Sequence, residues 1–300
     1  MAHDMSDHTL DATRRWQMKR LLRTIMRYPS GSVALAFLLV FLAMALIGPW
    51  AAPHGPFETI YDQDEMPVRL AGPSAQHWLG TTNHGVDVFS QLLWGARIAL
   101  VVGVLSALGS VLLGTLIGLL AGYFGGLVDE IIMRLTDIAY GIPFLPFALV
   151  VIAIVQPSIG LIIILVIAFL WRTTARVIRS QVLTLRERPF VLAARAAGLS
   201  EFAILFRHVA PNVLPLSFLY VAIGVQAGVM SEAALSFLGF GDPNVMSWGL
   251  MLNDAFRAGA MRSAWWWVLP PGICLSILVI STFMVTRAYE ELVNPRLRKR

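Results

Sequence analysis

The chain has 300 residues, of which 57% are hydrophobic and only 14% are charged, and its mean hydropathy is +0.70. A soluble domain carries about 25% charged residues, so this composition excludes a single soluble core and indicates a multi-pass membrane protein. The formal net charge of +5 is typical of basic cytoplasmic loops in membrane proteins rather than of nucleic-acid binding. The single cysteine, Cys274, excludes an intrachain disulfide framework and a multi-cysteine metal site.

The basic tail of residues 1–30 has two interpretations. Apolar residues recur in it at three- and four-residue spacing: Met18, Leu21, Leu22, Ile25 and Met26. That spacing is typical of an amphipathic helix on the inner membrane surface. The tail also suits a basic topology signal without fixed structure, and the pattern favours neither. The first predicted span, Gly31 to Ala51, begins too late and runs too long for an ordinary cleaved signal peptide.

Five further apolar stretches approach the length of about 20 residues that a membrane span needs. They lie at about 98–123, 131–155, 159–177, 213–234 and 265–289. The third and fourth spans are separated by a turn signal at residues 156–158, within the uncharged run 138–171. In the third span, Pro143 and Pro146 either kink the helix or soften its packing.

Basic residues are unevenly distributed among the loops. They are concentrated in the N-terminal tail, after the fourth span and at the C-terminus, whereas the loop between the first two spans is acidic. The positive-inside rule therefore predicts an all-α membrane protein with six transmembrane helices in an N-in/C-in arrangement. Its predicted parts are a basic cytoplasmic tail (1–30), a first transmembrane helix (31–51), an extracytoplasmic loop (52–96), a five-helix core (97–289) with a cytoplasmic loop (186–212), and a basic cytoplasmic tail (290–300).

Few charged residues lie near the spans. Three arginines lie at the cytoplasmic end of the fourth span at four- and three-residue spacing: Arg172, Arg176 and Arg179. Because long basic side chains extend toward the headgroups, we predict that they snorkel at the inner membrane face. Glu232 is the most isolated charge and lies near the outer end of the fifth span, where we predict a structural role.

The cytoplasmic loop FVLAARAAGLSEFAILFRHVAPN (190–212) predicts two short helices. Gly198 is placed to end the first helix in a left-handed conformation. Ser200 is placed to cap the second helix, and Glu201 in its first turn is favoured by the helix dipole. We predict that Pro211 stops this second helix before the fifth span begins. One face of it is predicted to carry Phe202, Leu205, Phe206 and Val209.

Small side chains give this loop an unusual surface. Ala193, Ala194, Ala196 and Ala197 have too little area to form a core, but they allow another backbone to approach closely. Two alternatives remain open from the pattern alone. Either the loop docks on a partner protein, or it folds back on the membrane ends of its own helices.

The same loop resembles the E-A-A-x-x-x-G segment of permease subunits in binding-protein-dependent ABC importers. Ala193, Ala194 and Gly198 match the pattern, and Leu192 stands where the family has its glutamate. Other segments resemble the dipeptide/oligopeptide/nickel branch, and the resemblance covers about residues 27–300. These are HWLGTTNHGVDVFSQLLWGAR (77–97), AGYFGGLVDEIIMRLTDI (121–138), SEAALSFLGFG (231–241), WWWVLPPG (265–272) and the terminal NPRLRKR. The sequence also departs from that branch at Thr82, Val86, Gln91 and Asn294.

This resemblance implies a type I ABC importer permease fold in a prokaryotic plasma (inner) membrane. It also implies a heterodimer with a second homologous permease, two cytosolic ATPase subunits and an extracytoplasmic substrate-binding protein. The residues expected in the ATPase-coupling loop are Leu192, Ala193, Ala194, Gly198, Ser200, Glu201, Phe202, Phe206 and Pro211. The residues expected at an outer gate or binding-protein contact are Glu232, Asp242 and Trp248. Peptides, nickel chelates, glutathione-like and opine-like solutes all fit as substrates.

Common nucleotide-binding and catalytic motifs are absent from the sequence. It contains no G-x-x-x-x-G-K-[ST] phosphate loop, no H-E-x-x-H and no G-x-S-x-G. We therefore expect no enzyme activity and no cofactor in this chain, and ATP hydrolysis in partner subunits. His84 and Asp87 are too few ligands for a metal site. The alternative function is a stand-alone secondary transporter or channel, which predicts ionisable residues buried in the middle of spans.

Overall fold

The computed structural model describes residues 29–293, and their side chains from 31 to 290. This part of the chain contains ten α-helices and one π-helical turn. They are α1 (Pro29–Ala51), α2 (Val88–Phe124), α3 (Gly126–Gly141), α4 (Phe144–Val155), α5 (Ile159–Leu185), α6 (Pro189–Ala196), α7 (Glu201–Ile204), the π-helical turn (Leu205–Val209), α8 (Ala210–Phe237), α9 (Trp248–Arg257) and α10 (Trp265–Val293). The loop 52–87 holds isolated β-bridges, such as Thr59 with Val86. The tail predictions for residues 1–28 and for Asn294 lie outside the described residues.

Helix α2 is the central helix, and its glycines permit close packing on two sides. A Cβ atom at Gly118 would lie 2.5 Å from the carbonyl oxygen of Ala175 in α5, and one at Gly122 would lie 2.8 Å from that of Arg179. On another side, a Cβ atom at Gly103 would lie 2.7 Å from Val229 in α8. Small residues at such contacts are what permit transmembrane helices to approach closely, so they fix the arrangement of α2, α5 and α8.

Five helical stretches are long and apolar enough to span a membrane: Gly31–Ala51, Val88–Phe124, Ile159–Leu185, Glu201–Phe237 and Trp265–Glu290. The third predicted span is instead a bent pair, α3 and α4, which meet at 84°. Ile142, which precedes Pro143, is extended (φ −91°, ψ 119°), as expected because a proline disfavours helical geometry in the residue before it. The bend therefore falls at Pro143, whereas Pro146 lies inside α4. The six predicted spans correspond to five straight helices and this pair.

Two helices are longer than the hydropathy pattern predicts. Helix α2 begins at Val88, not near 98, because the Asp87 side chain accepts a 2.7 Å hydrogen bond from the Ser90 backbone N–H and caps the helix. Helix α5 continues to Leu185, not 177. Hydropathy marks only the apolar part of a helix, so it misses polar turns at the ends. The predicted loop 52–96 thus ends at residue 87.

The arginines at the cytoplasmic end of the fourth span do not simply snorkel, as the sequence suggests. They bind the adjacent helix α3: Arg176 Nη2 lies 2.7 Å from Asp137 Oδ1, Arg179 makes a bidentate ion pair with Asp129, and Arg172 donates to the Ala139 carbonyl. These polar contacts fasten the polar face of α3 to α5.

Candidate coupling loop and outer segment

The helix–turn–helix predicted for the cytoplasmic loop forms, and its turn has a defined cap. Gly198 has φ +80° and its N–H donates to the Arg195 carbonyl at 3.0 Å, while Leu199 N–H donates to the Ala194 carbonyl at 3.3 Å. This pair of hydrogen bonds is a Schellman motif. The Ser200 hydroxyl accepts from Ala203 N–H at 3.3 Å and caps α7. The predicted capping roles of Gly198 and Ser200 are therefore confirmed.

Pro211 does not stop the second helix, contrary to the prediction. Helix α7 passes through the π-helical turn directly into α8, where Pro211 lies in the first turn. Pro211 thus lies inside a continuous helical run, where it removes one backbone hydrogen bond, just after the π-helical turn. The Asn212 side chain donates to the His208 carbonyl at 2.6 Å and adds a local bond. The loop and the fifth span consequently form one continuous helical segment.

The loop has a buried side that packs on the protein itself. Val191, Ile204, Leu205 and Val209 are fully buried, and Ala194 is 9% exposed. They form one core with residues of α2, α5 and α8, namely Leu119, Tyr123, Ile178, Val182 and Val213. Two predictions are wrong here. Ala194 is turned inward rather than toward a partner, and Leu205 and Val209 lie on a different face from Phe202 and Phe206.

The opposite side of the loop is open to its surroundings and apolar. Leu192 is 46% exposed, Phe202 is 62% exposed and Phe206 is 49% exposed. Small residues between them are also exposed, namely Ala193, Ala196, Ala197, Gly198 and Ser200. We call these eight residues the coupling surface. The sequence left docking and folding back as alternatives, and the structure shows folding back for the buried side of the loop only.

A polar cluster lies at the edge of the coupling surface. Glu201 Oε1 accepts from Arg195 Nε at 3.0 Å, and Glu201 Oε2 accepts from Arg195 Nη2 at 3.2 Å and from the Tyr123 hydroxyl. The pKa of the Arg195 guanidinium lies above its ordinary value, mainly because this side chain donates to Glu201. We call these three residues the Glu201 triad. The sequence placed Glu201 at a helix start but gave no indication of Tyr123.

Two of the three residues expected at the outer gate or binding-protein contact are buried, one in α8 and one at the start of α9. Glu232 and Trp248 are each 1% exposed, so neither side chain forms a contact surface in this conformation. Ser236 Oγ donates to Glu232 Oε1 at 2.6 Å. Trp248 Nε1 donates to the Leu92 carbonyl at 2.9 Å, and its ring fills the space beside Gly95. Trp248 therefore holds α9 against α2, whereas the Glu232–Ser236 hydrogen bond lies within α8.

Asp242 is partly buried and connects the segment after α8 to α5. Its Oδ2 atom accepts from the Ile159 N–H at 3.2 Å, at the first turn of α5, where a carboxylate is favoured by the helix dipole. Its Oδ1 atom accepts from the Asn244 N–H at 2.9 Å. Among the described side chains, no group of three or more His, Cys, Asp or Glu residues is arranged to hold a metal ion.

The fold and these segments define a class, the helical multi-pass membrane proteins, and the comparisons identify the family. Residues 114–299 match the family described as binding-protein-dependent transport system inner membrane component. Residues 17–73 match the N-terminal TM domain of oligopeptide transport permease C. The chain belongs to this family of transport-system inner membrane components.

Similar proteins agree with this assignment. The chain is 33% identical over 294 residues to the dipeptide transport system permease protein DppC of Bacillus subtilis (strain 168), covering 97% of this chain and 87% of that protein. It is 30% identical over 289 residues to the glutathione transport system permease protein GsiD of Pectobacterium atrosepticum, covering 96% of this chain and 94% of that protein. The chain is therefore an ABC importer permease subunit of the plasma membrane, which replaces the alternative of a stand-alone transporter or channel.

A solved structure has the same fold. The structure titled "Inward facing conformations of the MetNI methionine ABC transporter" has a TM-score of 0.51 and 19% sequence identity, and the match covers 70% of this chain and 97% of that chain. At this identity the likeness concerns the fold, and it agrees with the predicted ABC importer permease fold.

Proposed function

We propose that this chain is one of two homologous pore-forming subunits in an ATP-driven importer of peptides or similar small solutes. One of two cytosolic ATPase subunits would contact the coupling surface, and an extracytoplasmic binding protein would deliver the solute to the other end. The proposed mechanism is alternating access, in which closure of the ATPases moves the coupling loop and reorients the spans.

The observation that carries the proposal is the division of the coupling loop into two sides. A loop that only folded back would bury Phe202 and Phe206, because leaving a large aromatic side chain exposed forgoes the free energy of its burial. Here the inward side already has its core, and the outward side keeps three large apolar side chains among alanines. An exposed apolar patch of this kind is typical of a protein–protein contact.

The membrane orientation supports the same assignment of partners. Basic residues flank the coupling loop, as the positive-inside rule requires of a cytoplasmic loop. Helix α2 has 37 residues, which at about 1.5 Å per residue separates loop 52–87 from the coupling loop by about 55 Å. That length exceeds the membrane thickness, so the two loops would lie on opposite sides.

We place the binding-protein contact on loop 52–87 rather than on Glu232 and Trp248, because those two side chains are buried. Tyr61 is 60% exposed and Met66 is 62% exposed. Acidic side chains stand beside them at Glu58, Asp62, Asp64 and Glu65, all exposed. This combination of apolar and acidic groups fits a protein partner better than the apolar part of a membrane.

The substrate class follows from the relatives, whose names specify dipeptides and glutathione. We propose a peptide or peptide-like solute for this chain. Uptake of labelled dialanine and of labelled glutathione, measured with the complete transporter in proteoliposomes, tests this assignment. Accumulation of neither solute would contradict a peptide-like substrate while leaving the ATPase contact to its own test.

The ATPase contact is tested by crosslinking from neighbouring alanines. Ala193 is exposed and Ala194 is turned into the core, so Ala193→Cys and Ala194→Cys form a matched pair in a Cys274→Ala background. Both are co-expressed with the ATPase subunits and treated with a cysteine-linked photocrosslinker. We expect Ala193→Cys to crosslink to the ATPase and Ala194→Cys to react poorly.

Gly198 and Glu201 are less suitable positions for this experiment. A cysteine at Gly198 would have to adopt φ +80°, which is strained for any residue with a side chain, and Glu201 is engaged in the triad. If Ala193→Cys is labelled by a maleimide but gives no crosslink in any nucleotide state, the docking proposal is wrong.

A further inference from the structure

The Glu201 triad joins three helices through one carboxylate. Tyr123 lies one residue before the end of α2, Arg195 belongs to α6, and Glu201 is the first residue of α7. An ionised carboxylate only accepts hydrogen bonds, so the phenol hydroxyl and the guanidinium must both donate to it. Both oxygens of Glu201 are engaged within the chain.

The α2 side of the triad is firmly held. Tyr123 is 6% exposed and belongs to the core beneath the loop. Its ring lies 5.4 Å from that of Phe124, which in turn lies 5.7 Å from the ring of Phe202 in α7. The end of α2 and the start of α7 are therefore joined by a hydrogen bond and by an aromatic contact side by side.

The turn between α6 and α7 packs on this core through Leu199 but is open on its outward side at Gly198. A Cβ atom at Gly198 would have no heavy atom within 4 Å. Across this open turn, the Arg195–Glu201 pair is a bidentate bridge, and such pairs fix direction as well as distance. The outward side of the turn thus depends on the triad for its angle.

The Arg195–Glu201 ion pair contributes too little to the stability of the fold for stability to explain it. The side chains of Arg195 and Glu201 are each 47% exposed, and ion pairs with so much access to water contribute little to folding. A bidentate pair of this kind has a clearer effect on orientation. It fixes which way α6 points relative to α2.

We propose that Glu201 is a positioning residue for coupling, which makes α6, α7 and the end of α2 move together. Movement of α6 would then reach α8 through the continuous helix and α2 through Tyr123. This inference rests on the proposed function, because it takes the ATPases to act on α6. Position 192, where the family has its glutamate, carries an exposed leucine in this chain. The inference therefore assigns to Glu201 the carboxylate that orients the loop.

The test uses the complete transporter in proteoliposomes with Tyr123→Phe and Glu201→Gln variants. The readouts are co-purification of the ATPases, basal ATP hydrolysis, and dialanine or glutathione uptake per ATP. We expect co-purification to persist and uptake per ATP to fall about tenfold, the size expected when one hydrogen bond to a charged group is lost from a coupling equilibrium. Basal hydrolysis should rise, because the ATPases would no longer have to move α2.

Two further variants separate positioning from general damage. The charge reversal Arg195→Glu with Glu201→Arg rebuilds the pair, and we expect it to recover most of the coupling that each single reversal loses. Glu187→Gln is the matched control, because Glu187 makes a 3.1 Å ion pair with Arg186 in the same loop and is 70% exposed. It should leave every readout unchanged.

Each result decides between defined alternatives. If Glu201→Gln leaves uptake per ATP and basal hydrolysis at wild-type values, or if the charge reversal recovers nothing, the positioning role is wrong. If Glu201→Gln abolishes co-purification, Glu201 contacts the ATPase directly, which overturns the positioning role but supports docking. If the wild type imports neither solute, the rate of basal ATP hydrolysis tests the positioning role instead. The role then requires that Glu201→Gln raises this rate and that the charge reversal returns it toward the wild-type value. Failure of docking itself is detected separately, by the Ala193 crosslink.

Discussion

The two segments that flank α8 are built in different ways. The segment before it, the coupling loop, buries small and medium side chains and leaves Phe202 and Phe206 in contact with the surroundings. The segment after it, residues 238–257, turns its largest side chain, Trp248, completely inward. We infer that Trp248 fixes the second segment to the chain itself, whereas Phe202 and Phe206 leave the first open to a partner. Substitutions in the two segments should therefore affect different measurements.

The largest expected effect is on stability, from Trp248→Ala. This change removes a buried indole that hydrogen-bonds to α2 and leaves a cavity beside Gly95, and such changes cost about 3–5 kcal/mol of unfolding free energy. Thermal unfolding in detergent measures it. Trp50→Ala is the matched control, because Trp50 is 84% exposed and surface changes cost less than about 0.5 kcal/mol. Equal losses from both substitutions would contradict the structural role of Trp248.

The coupling loop should show the opposite behaviour in Phe202→Ala. Since Phe202 is 62% exposed, we expect the subunit to keep its stability within about 0.5 kcal/mol. Association with the ATPases should weaken by about 2 kcal/mol, as for a central aromatic residue of an interface. Titration of detergent-solubilised permease with ATPase subunits measures this affinity.

Phe218→Ala is the control for that experiment. Phe218 is 63% exposed, almost the same as Phe202, but lies within the apolar span α8. Its replacement should leave ATPase affinity unchanged. A loss of affinity in both variants would show that exposure alone does not distinguish the coupling surface.

The two segments also differ in how much of them the sequence reveals. Gly198 and Ser200 could be assigned because caps are local signals, readable within four residues. Asp87 followed by Ser90 is a signal of the same kind, and it could have placed the start of α2 ten residues earlier. The partner of Glu201 could not be found in this way, because Tyr123 is 78 residues distant in the chain. The burial of Trp248 against Leu92 depends on a contact across 156 residues.

The bent pair α3–α4 and the face of Ala194 illustrate the same limit. Pro143 predicts where the third span is interrupted, but an angle of 84° depends on the packing around it. The alanines of α6 are alike in sequence, and only the core beneath Val191 determines that Ala194 is the one turned inward. Composition and hydropathy therefore predict the number of spans, while the side of each residue requires the tertiary contacts.

A smaller effect is expected at the turn of the coupling loop, from Gly198→Ala. A Cβ atom would meet nothing there, so the cost comes only from the left-handed backbone, about 1–2 kcal/mol. The unfolding temperature and the affinity for the ATPases should decrease together, because the turn determines the shape of the coupling surface. Gly198→Asn is the matched variant and should lose less, since asparagine tolerates this conformation better than alanine. An alanine variant as stable as the wild type would show that the turn relaxes without strain.

The smallest effect is expected from Glu232→Gln, near the C-terminal end of α8. Within the described side chains no ion pair involves this buried carboxyl group, and its hydrogen-bond partner is the Ser236 hydroxyl. Glu232→Gln keeps an oxygen that accepts this bond, so we expect a change below about 1 kcal/mol. Glu232→Leu keeps the volume but removes the acceptor, and it should cost about 1–3 kcal/mol. If the glutamine variant loses as much as the leucine variant, the carboxyl group has a role that depends on its charge, and Glu232 does more than fill space at the end of α8.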